Sequence, residues 1–190
     1  MKRLALLGLV GLVAATAVPA GASTFLAMSQ QELVAAADAV VIGEVLQVQS
    51  YWNEGATAIV TDALVGVRET LAGEASSIVQ VRTFGGQVGP IYIEAHGFPT
   101  FGKGQLVVLH LQNDGDAARV VGYQQGHLRV LVRQSDGVQV AVPTVDAGAH
   151  LITRDGSPVA PQRVRTLDAV RADVRLAAGQ LRHELKSPVR

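Results

Sequence analysis

Hydrophobic and polar positions change period twice along this chain. Ser29-Gln30-Gln31-Glu32 forms a capping-box pattern, in which a serine side chain accepts from the backbone three residues on and a glutamate reaches back. It predicts a short helix to about Asp38, with Leu33, Val34 and Ala37 on the side that covers the body. From Ala39 the period becomes two. The run Val40-Val41-Ile42-Gly43-Glu44-Val45-Leu46-Gln47-Val48-Gln49 starts apolar on both faces and then alternates, as in a strand that is central at its start and half exposed later. Tyr51 to Gly55 reads as a loop. A second strand, from about Thr57 to Glu69, turns Ile59, Ala63, Val65 and Val67 one way and Asp62 and Arg68 the other. A third, Ser77 to Phe84, sets Val79 and Val81 against Gln80 and Arg82. Further strands are predicted at Leu106–Gln112, Ala118–Tyr123, His127–Arg133 and Val138–Val142, with Asn113-Asp114-Gly115 and Ser135-Asp136-Gly137 as turns. Strands joined by turns rather than helices predict a mainly β, mostly antiparallel barrel or sandwich over residues 23–143.

Two segments break the rhythm. Phe84 to Gly104 contains Pro90, Pro99, repeated glycines and the aromatics Phe84, Tyr92, Phe98 and Phe101, and so forms a long connection between strands. Such connections often bind ligands, the bland alternative being a loop that merely covers a barrel end. Residues 144–165, with Asp155-Gly156-Ser157-Pro158 and Pro161, show little periodicity and read as a linker. Over 166–186 the period returns to that of a helix. Thr166 caps it, Leu167, Val170, Val174, Leu181 and Leu185 make its apolar stripe, and Pro188 follows its end. That stripe must be buried, on the chain's own body, on a partner or, least favoured, on an anionic membrane surface.

The first segment has a different character. Met1-Lys2-Arg3 is positive, Leu4 to Val13 is apolar, and Pro19-Ala20-Gly21-Ala22 ends in small residues. This is the pattern of a secretory signal peptide over 1–22, cut between Ala22 and Ser23, which places the mature chain in the periplasm or outside the cell. A retained membrane anchor is the alternative, disfavoured by the short apolar run and by Pro19 and Gly21 within it. The absence of cysteine excludes a disulfide scaffold, a thiol nucleophile and a cysteine-based metal centre. Charge is uneven: residues 23–150 carry six basic and twelve acidic side chains, and residues 151–190 carry eight and four. An acidic body of this kind lacks the field that nucleic acid needs.

Chemistry-bearing patterns are sparse. Nucleophile-elbow, zinc-protease, phosphate-loop and dinucleotide motifs are missing from the sequence. Glu94 and His96 offer two metal ligands, short of the three or four a zinc site requires, so neither metal nor cofactor is expected. Glu44, on an apolar strand, is expected to pair with an arginine or to face the barrel mouth. Tyr51 and Trp52 are flat amphipathic rings at a strand end, fit to hold a partner surface or to plug the barrel. With Tyr92, Phe98 and Phe101 they are the candidate binding residues; no catalytic residue is assigned.

The run Ala37-Asp38-Ala39-Val40-Val41-Ile42-Gly43-Glu44-Val45, then Tyr51-Trp52, Thr61-Asp62 and Val67-Arg68-Glu69-Thr70-Leu71-Ala72-Gly73, and later Phe101-Gly102-Lys103-Gly104-Gln105-Leu106-Val107-Val108-Leu109, resembles netrin-like domains of the tissue-inhibitor-of-metalloprotease type. It is closer still to uncharacterised exported bacterial domains of the same plan, which share segments like Phe84–Gly89 and Val120–Val130. The resemblance, over about residues 33–133, implies a small OB-like barrel, to which the spacing of the chain adds the short N-terminal helix and the amphipathic C-terminal helix. It does not carry over the inhibitors' mechanism, which uses an N-terminal cysteine to chelate the protease zinc, because the predicted mature start here is Ser23. Three functions follow as expectations: an exported, non-enzymatic binding or interaction module whose ligand the sequence does not name, an exported protein being one candidate partner; a hydrolase using Glu94, His96 and His110; and a protease inhibitor acting through barrel-end loops. Oligomeric state is not legible.

Overall fold

The computed structural model describes residues 23–144, 146, 148–160 and 162–186; the predicted signal over 1–22 and Pro188 lie outside them. In chain order the elements are β1 (Ser23–Leu26), α1 (Gln30–Ala36), β2 (Ala39–Trp52), β3 (Ile59–Gly73), β4 (Ile78–Phe84), β5 (Gly86–Val88), β6 (Ile91–Ile93), β7 (Leu106–Asp114), β8 (Ala117–Val120), β9 (His127–Val132), β10 (Gln139–Pro143), β11 (Ala149–Ile152), β12 (Arg165–Thr166) and α2 (Leu167–Lys186). A 3₁₀ turn, Tyr123–Gly126, joins β8 to β9. The protein is thus mainly β with two helices.

One large sheet has the order β12-β10-β9-β7-β2-β3-β4-β8, and an added β7–β8 pairing partly rings it. Its pairings are antiparallel except where β4 meets β8 at Val81 and Ala118. The long β2–β3 ribbon shifts register at Val40/Val41, Ile42/Gly43 and Val45/Gln47, and such bulges bend and twist a strand pair. Gly43 lies at one of them because a Cβ there would fall 2.5 Å from Val65 Cγ1 and 2.9 Å from the Gly66 carbonyl oxygen.

The doubly apolar start of β2 feeds two cores. Val41 and Val45 join Ala63, Val65, Val81, Val107, Leu109 and Val120 inside the ringed part. Val40 and Ile42 turn the other way and meet Val108, Leu128 and Val130 beneath Leu167, Val170, Val174 and Ala177 of α2. From Leu167 to Ala177 the helix stripe is therefore buried on the chain's own sheet, with Leu181 partly buried beside it and the Leu185 side chain outside the described residues; each fully buried larger side chain contributes about 1.5–3 kcal/mol of apolar burial. α1 packs against α2. Its capping box is formed: Ser29 N–H donates to Glu32 Oε2 at 2.8 Å, and Glu32 N–H donates to Ser29 Oγ at 3.2 Å. Among the described residues no helix is long and apolar enough to cross a membrane.

Three expectations need correction. Tyr51 and Trp52 do not lie in a loop; they are the last residues of β2, paired with Val60 and Ile59, because the Asn53 side chain closes the hairpin by accepting from Thr57 and Ala58 N–H. The long connection 84–104 holds a small hairpin, β5–β6. The stretch expected as a linker, 144–165, carries β11, which pairs in parallel with β1 from Ser23↔Ala149 to Leu26↔Ile152. Parallel partners far apart in sequence leave no local turn signal, so this pairing was invisible to periodicity.

Two imidazoles are sealed into the structure. His110 lies between Gln30 Nε2, 2.8 Å from its Nε2, and the Gly126 carbonyl, 3.3 Å from its Nδ1. His127 meets Thr144 Oγ1 at 2.9 Å through Nδ1 and the Phe101 ring at 5.2 Å, and its Nε2 is buried without a partner. Burial pushes both down to about 4, with Arg165 adding to the effect at His110 and Arg129 at His127.

Two predictions follow from this packing. Val174→Asp, placing a charge where the native residue is fully buried, should lower unfolding free energy by about 4 kcal/mol in urea titrations, and an unchanged midpoint would refute the docking of α2. The second concerns acid. Above pH ~6.5 neither folded nor unfolded chain protonates these histidines; between ~6.5 and ~4 only the unfolded chain does, so stability should fall as pH falls. The loss is on the order of 3 kcal/mol per imidazole and flattens below pH ~4. His127→Leu should remove roughly half of that slope in pH-dependent denaturation curves.

Candidate functional site

The outer edge of the β2–β3–β4 ribbon is held by one carboxylate. Asp62 Oδ2 accepts from Tyr51 Oη at 2.8 Å, Gln80 Nε2 at 2.9 Å and Arg82 Nη2 at 3.0 Å, while Oδ1 accepts from Arg82 Nε at 2.8 Å. Arg82 also reaches Asp116 with both terminal nitrogens, at 3.0 and 3.2 Å. Burial pushes the Asp62 carboxyl up, but the Arg82, Tyr51 and Gln80 bonds outweigh it and leave it below the usual carboxylate range. Burial and the Asp62 charge raise Tyr51. The Tyr51 hydroxyl is therefore engaged within the sheet, and Trp52 stands beside it, 36% exposed. Glu44 pairs with Arg68 at the surface.

Beside this ladder runs a row of rings. Phe25 contacts Tyr123 with centroids 4.7 Å apart, Tyr123 meets Phe98 edge-on at 5.0 Å, and Phe98 meets Phe84 edge-on at 5.2 Å. These separations suit the quadrupoles of aromatic pairs. Phe84 remains 51% exposed and Tyr123 43%. The rings Phe84, Phe98 and Tyr123 line a cleft of about 580 Å³, together with Arg82, Thr83 and Pro99 on one side and Ala117–Gly122 on the other. It follows the line along which β4 and β8 part after their single paired position.

Tyr123 is held in the left-handed region, φ 58°, directly after Gly122 at φ 64°. A non-glycine residue there costs about 1 kcal/mol or more and persists only when its surroundings impose it. Gln124 N–H donates to the Gly97 carbonyl at 2.9 Å, and the Gln125 side chain donates to the Leu26 carbonyl at 3.0 Å and accepts from Met28 N–H at 2.8 Å. Those bonds clamp the 3₁₀ turn against β1 and the long connection, and so aim the Tyr123 ring into the row.

The candidate rings named from sequence are dispersed. Phe98 lies in the cleft. Tyr92, 63% exposed on β6, and Phe101 border a second, smaller cavity of about 180 Å³ under the β5–β6 hairpin, and Phe101 also packs on the inner core. Tyr51 and Trp52 line neither. Sequence reasoning missed Phe25 and Tyr123, whose roles rest on the β1–β11 pairing and on a backbone angle; only Gly122 before Tyr123 hinted at the turn.

The histidines and carboxylates also sort themselves. His110 is sealed in the interior, whereas Glu94 and His96 meet Asp146 from the supposed linker, with one ligand atom from each within 4.8 Å of the others. His96 Nδ1 lies 3.2 and 3.1 Å from the two Asp146 oxygens. Burial raises the Asp146 carboxyl, but N–H groups of Gly148 and Gly97 and the His96 ring outweigh it, and the carboxyl sits below its usual range. On the far side of Asp146 is a cleft of about 560 Å³, bordered by Gln124, Gln125, Thr144 and His150. In the comparisons with known proteins, no family model, no curated protein and no solved structure matches this chain.

Proposed function

We propose that this chain is an exported, non-enzymatic binding module on an OB-like, netrin-like barrel, and that its cleft takes an extended apolar peptide segment of an exported protein partner. The barrel reading draws support from connectivity: β2, β3, β4, β8 and β7 follow one another and return to β2, with the β4–β8 contact parallel, a Greek-key ring of five strands. Export draws support from the charged, apolar and small-residue pattern of Met1 to Ala22.

The observation that carries the binding reading is the exposed aromatic row of Phe84, Phe98 and Tyr123 along an open cleft, built on a strained Tyr123 backbone. Large rings that stay half exposed on a rigid frame gain most from covering by a partner, and such rings dominate binding energy at interfaces. The cleft runs along β4 and β8, which pair at one position, with Arg82 and Arg119 in its lining, a setting in which an extended peptide can lie. The hydrolase alternative loses its third residue, because His110 is buried away from Glu94 and His96.

The experiment compares envelope and culture-fluid proteins recovered by the wild type, by Tyr123→Gly with Phe84→Ala, and by the control Leu176→Ala on the exposed side of α2. Tyr123→Gly relieves the backbone while removing the ring, so stability should change by only about 1 kcal/mol. The partner identified by mass spectrometry should bind the double variant at least about tenfold more weakly in direct titration, with the control unchanged. Equal recovery by all three proteins, or hydrolytic turnover by the wild type, would overturn the reading.

A further inference from the structure

We propose that Glu94, His96 and Asp146 bind one divalent transition-metal ion, with Zn²⁺ the best match, and that the ion fastens the β1–β11 ribbon to the connection after β6. This site is separate from the aromatic cleft and does not rest on its function.

Geometry comes first. Bonds of about 2.1 Å to a tetrahedral zinc place its ligand atoms roughly 3.4 Å apart. His96 Nδ1 and the Asp146 oxygens are already 3.1 and 3.2 Å apart, and one ligand atom each from Glu94, His96 and Asp146 fall within 4.8 Å of one another. Glu94 is exposed, so rotation of its side chain closes the remaining gap.

The site is also organised around its ligands. Asp146 Oδ2 accepts from Gly97 N–H at 2.7 Å and Oδ1 from Gly148 N–H at 2.7 Å, while Asp146 N–H donates to Oε1 of the buried Gln124 at 3.0 Å. Backbone donors thus fix the carboxylate from both sides, the support that metal-bound carboxylates require. The imidazole lies over bare backbone: a Cβ on Gly148 would sit 2.4 Å from His96 Nδ1.

Charge and donor type then choose the occupant. The cluster brings two carboxylates to one imidazole, and among the described residues no arginine or lysine pairs with Glu94 or Asp146. A divalent cation supplies that compensation. One nitrogen and two carboxylates are too few oxygens for Ca²⁺ and suit a transition ion, with a coordination position left for water. Because Ser23 N–H donates to the Gly148 carbonyl at 2.9 Å, fixing Asp146 also fixes the start of β1.

The test is isothermal titration of the untagged full chain with ZnCl₂ and, separately, MgCl₂ at neutral pH. Wild type should bind one Zn²⁺ per chain with micromolar affinity, and His96→Ala, Glu94→Gln and Asp146→Asn should each weaken it by about tenfold or more. Thermal midpoints of the metal-free variants establish that they fold. Zinc should also slow protease cleavage within 144–165 in wild type but not in Asp146→Asn. No saturation below about 100 µM Zn²⁺, undiminished binding in His96→Ala, or Mg²⁺ binding as tight as that of Zn²⁺ would overturn the proposal.

Discussion

The fold depends on one strand having no face to give to water. At its start β2 sends Val41 and Val45 into the ringed part of the sheet and Val40 and Ile42 to the opposite side, all essentially unexposed. A strand buried on both faces must be central, and both faces must be covered. The neighbouring β7 repeats the division, with Val107 and Leu109 on one side and Val108 on the other. The inner face is covered by the sheet curling on itself. Nothing in the sheet can cover the outer face, and α2 does so from the far end of the chain, which makes the C-terminal helix part of the core rather than an appendage.

What remains exposed follows from that arrangement. Past Val45 the strand β2 leaves the doubly covered region and its side chains become polar or half exposed, while the facing part of β3 keeps Ile59, Val60 and Ala63 buried; the exposed Glu44–Arg68 pair lies at the boundary. Beyond Val81 and Ala118, β4 and β8 separate, and the long connection lays Phe98 and Pro99 against the gap, with Thr83 Oγ1 donating to the Pro99 carbonyl at 3.0 Å. The aromatic row thus occupies a place where the sheet cannot complete its own pairing. In a protein whose total stability is only some 5–15 kcal/mol, about 1 kcal/mol held in the Tyr123 backbone is a measurable share, and three side-chain and backbone bonds keep it there.

Periodicity made the sheet legible because half-buried strands must alternate. Strands near 40–49, 57–69, 77–84, 106–112, 127–133 and 138–142, the capping box at Ser29 and the stripe of α2 are each visible in local spacing. Three kinds of feature were not. A parallel pair such as β1 and β11 is written in two short segments more than a hundred residues apart. Strand extension through Tyr51 and Trp52 depends on Asn53 capping the turn, against a composition that reads as loop. The meeting of Asp146 with His96, fifty positions away, and the left-handed Tyr123 are products of tertiary closure. The aromatic candidates were chosen by type and loop position, which found Phe98 but could not tell it from Trp52.

The cleft and the Glu94–His96–Asp146 cluster are chemically separate yet share one piece of backbone. Gly97 N–H is bonded to Asp146, its carbonyl accepts from Gln124 in the turn that carries Tyr123, and the next residue is Phe98. Gln124 closes the loop by accepting from Asp146 N–H. Three hydrogen bonds thus join Asp146 to the backbone next to two rings of the aromatic row. The backbone that positions Phe98 and Tyr123 is therefore fixed in part by the same carboxylate that meets His96.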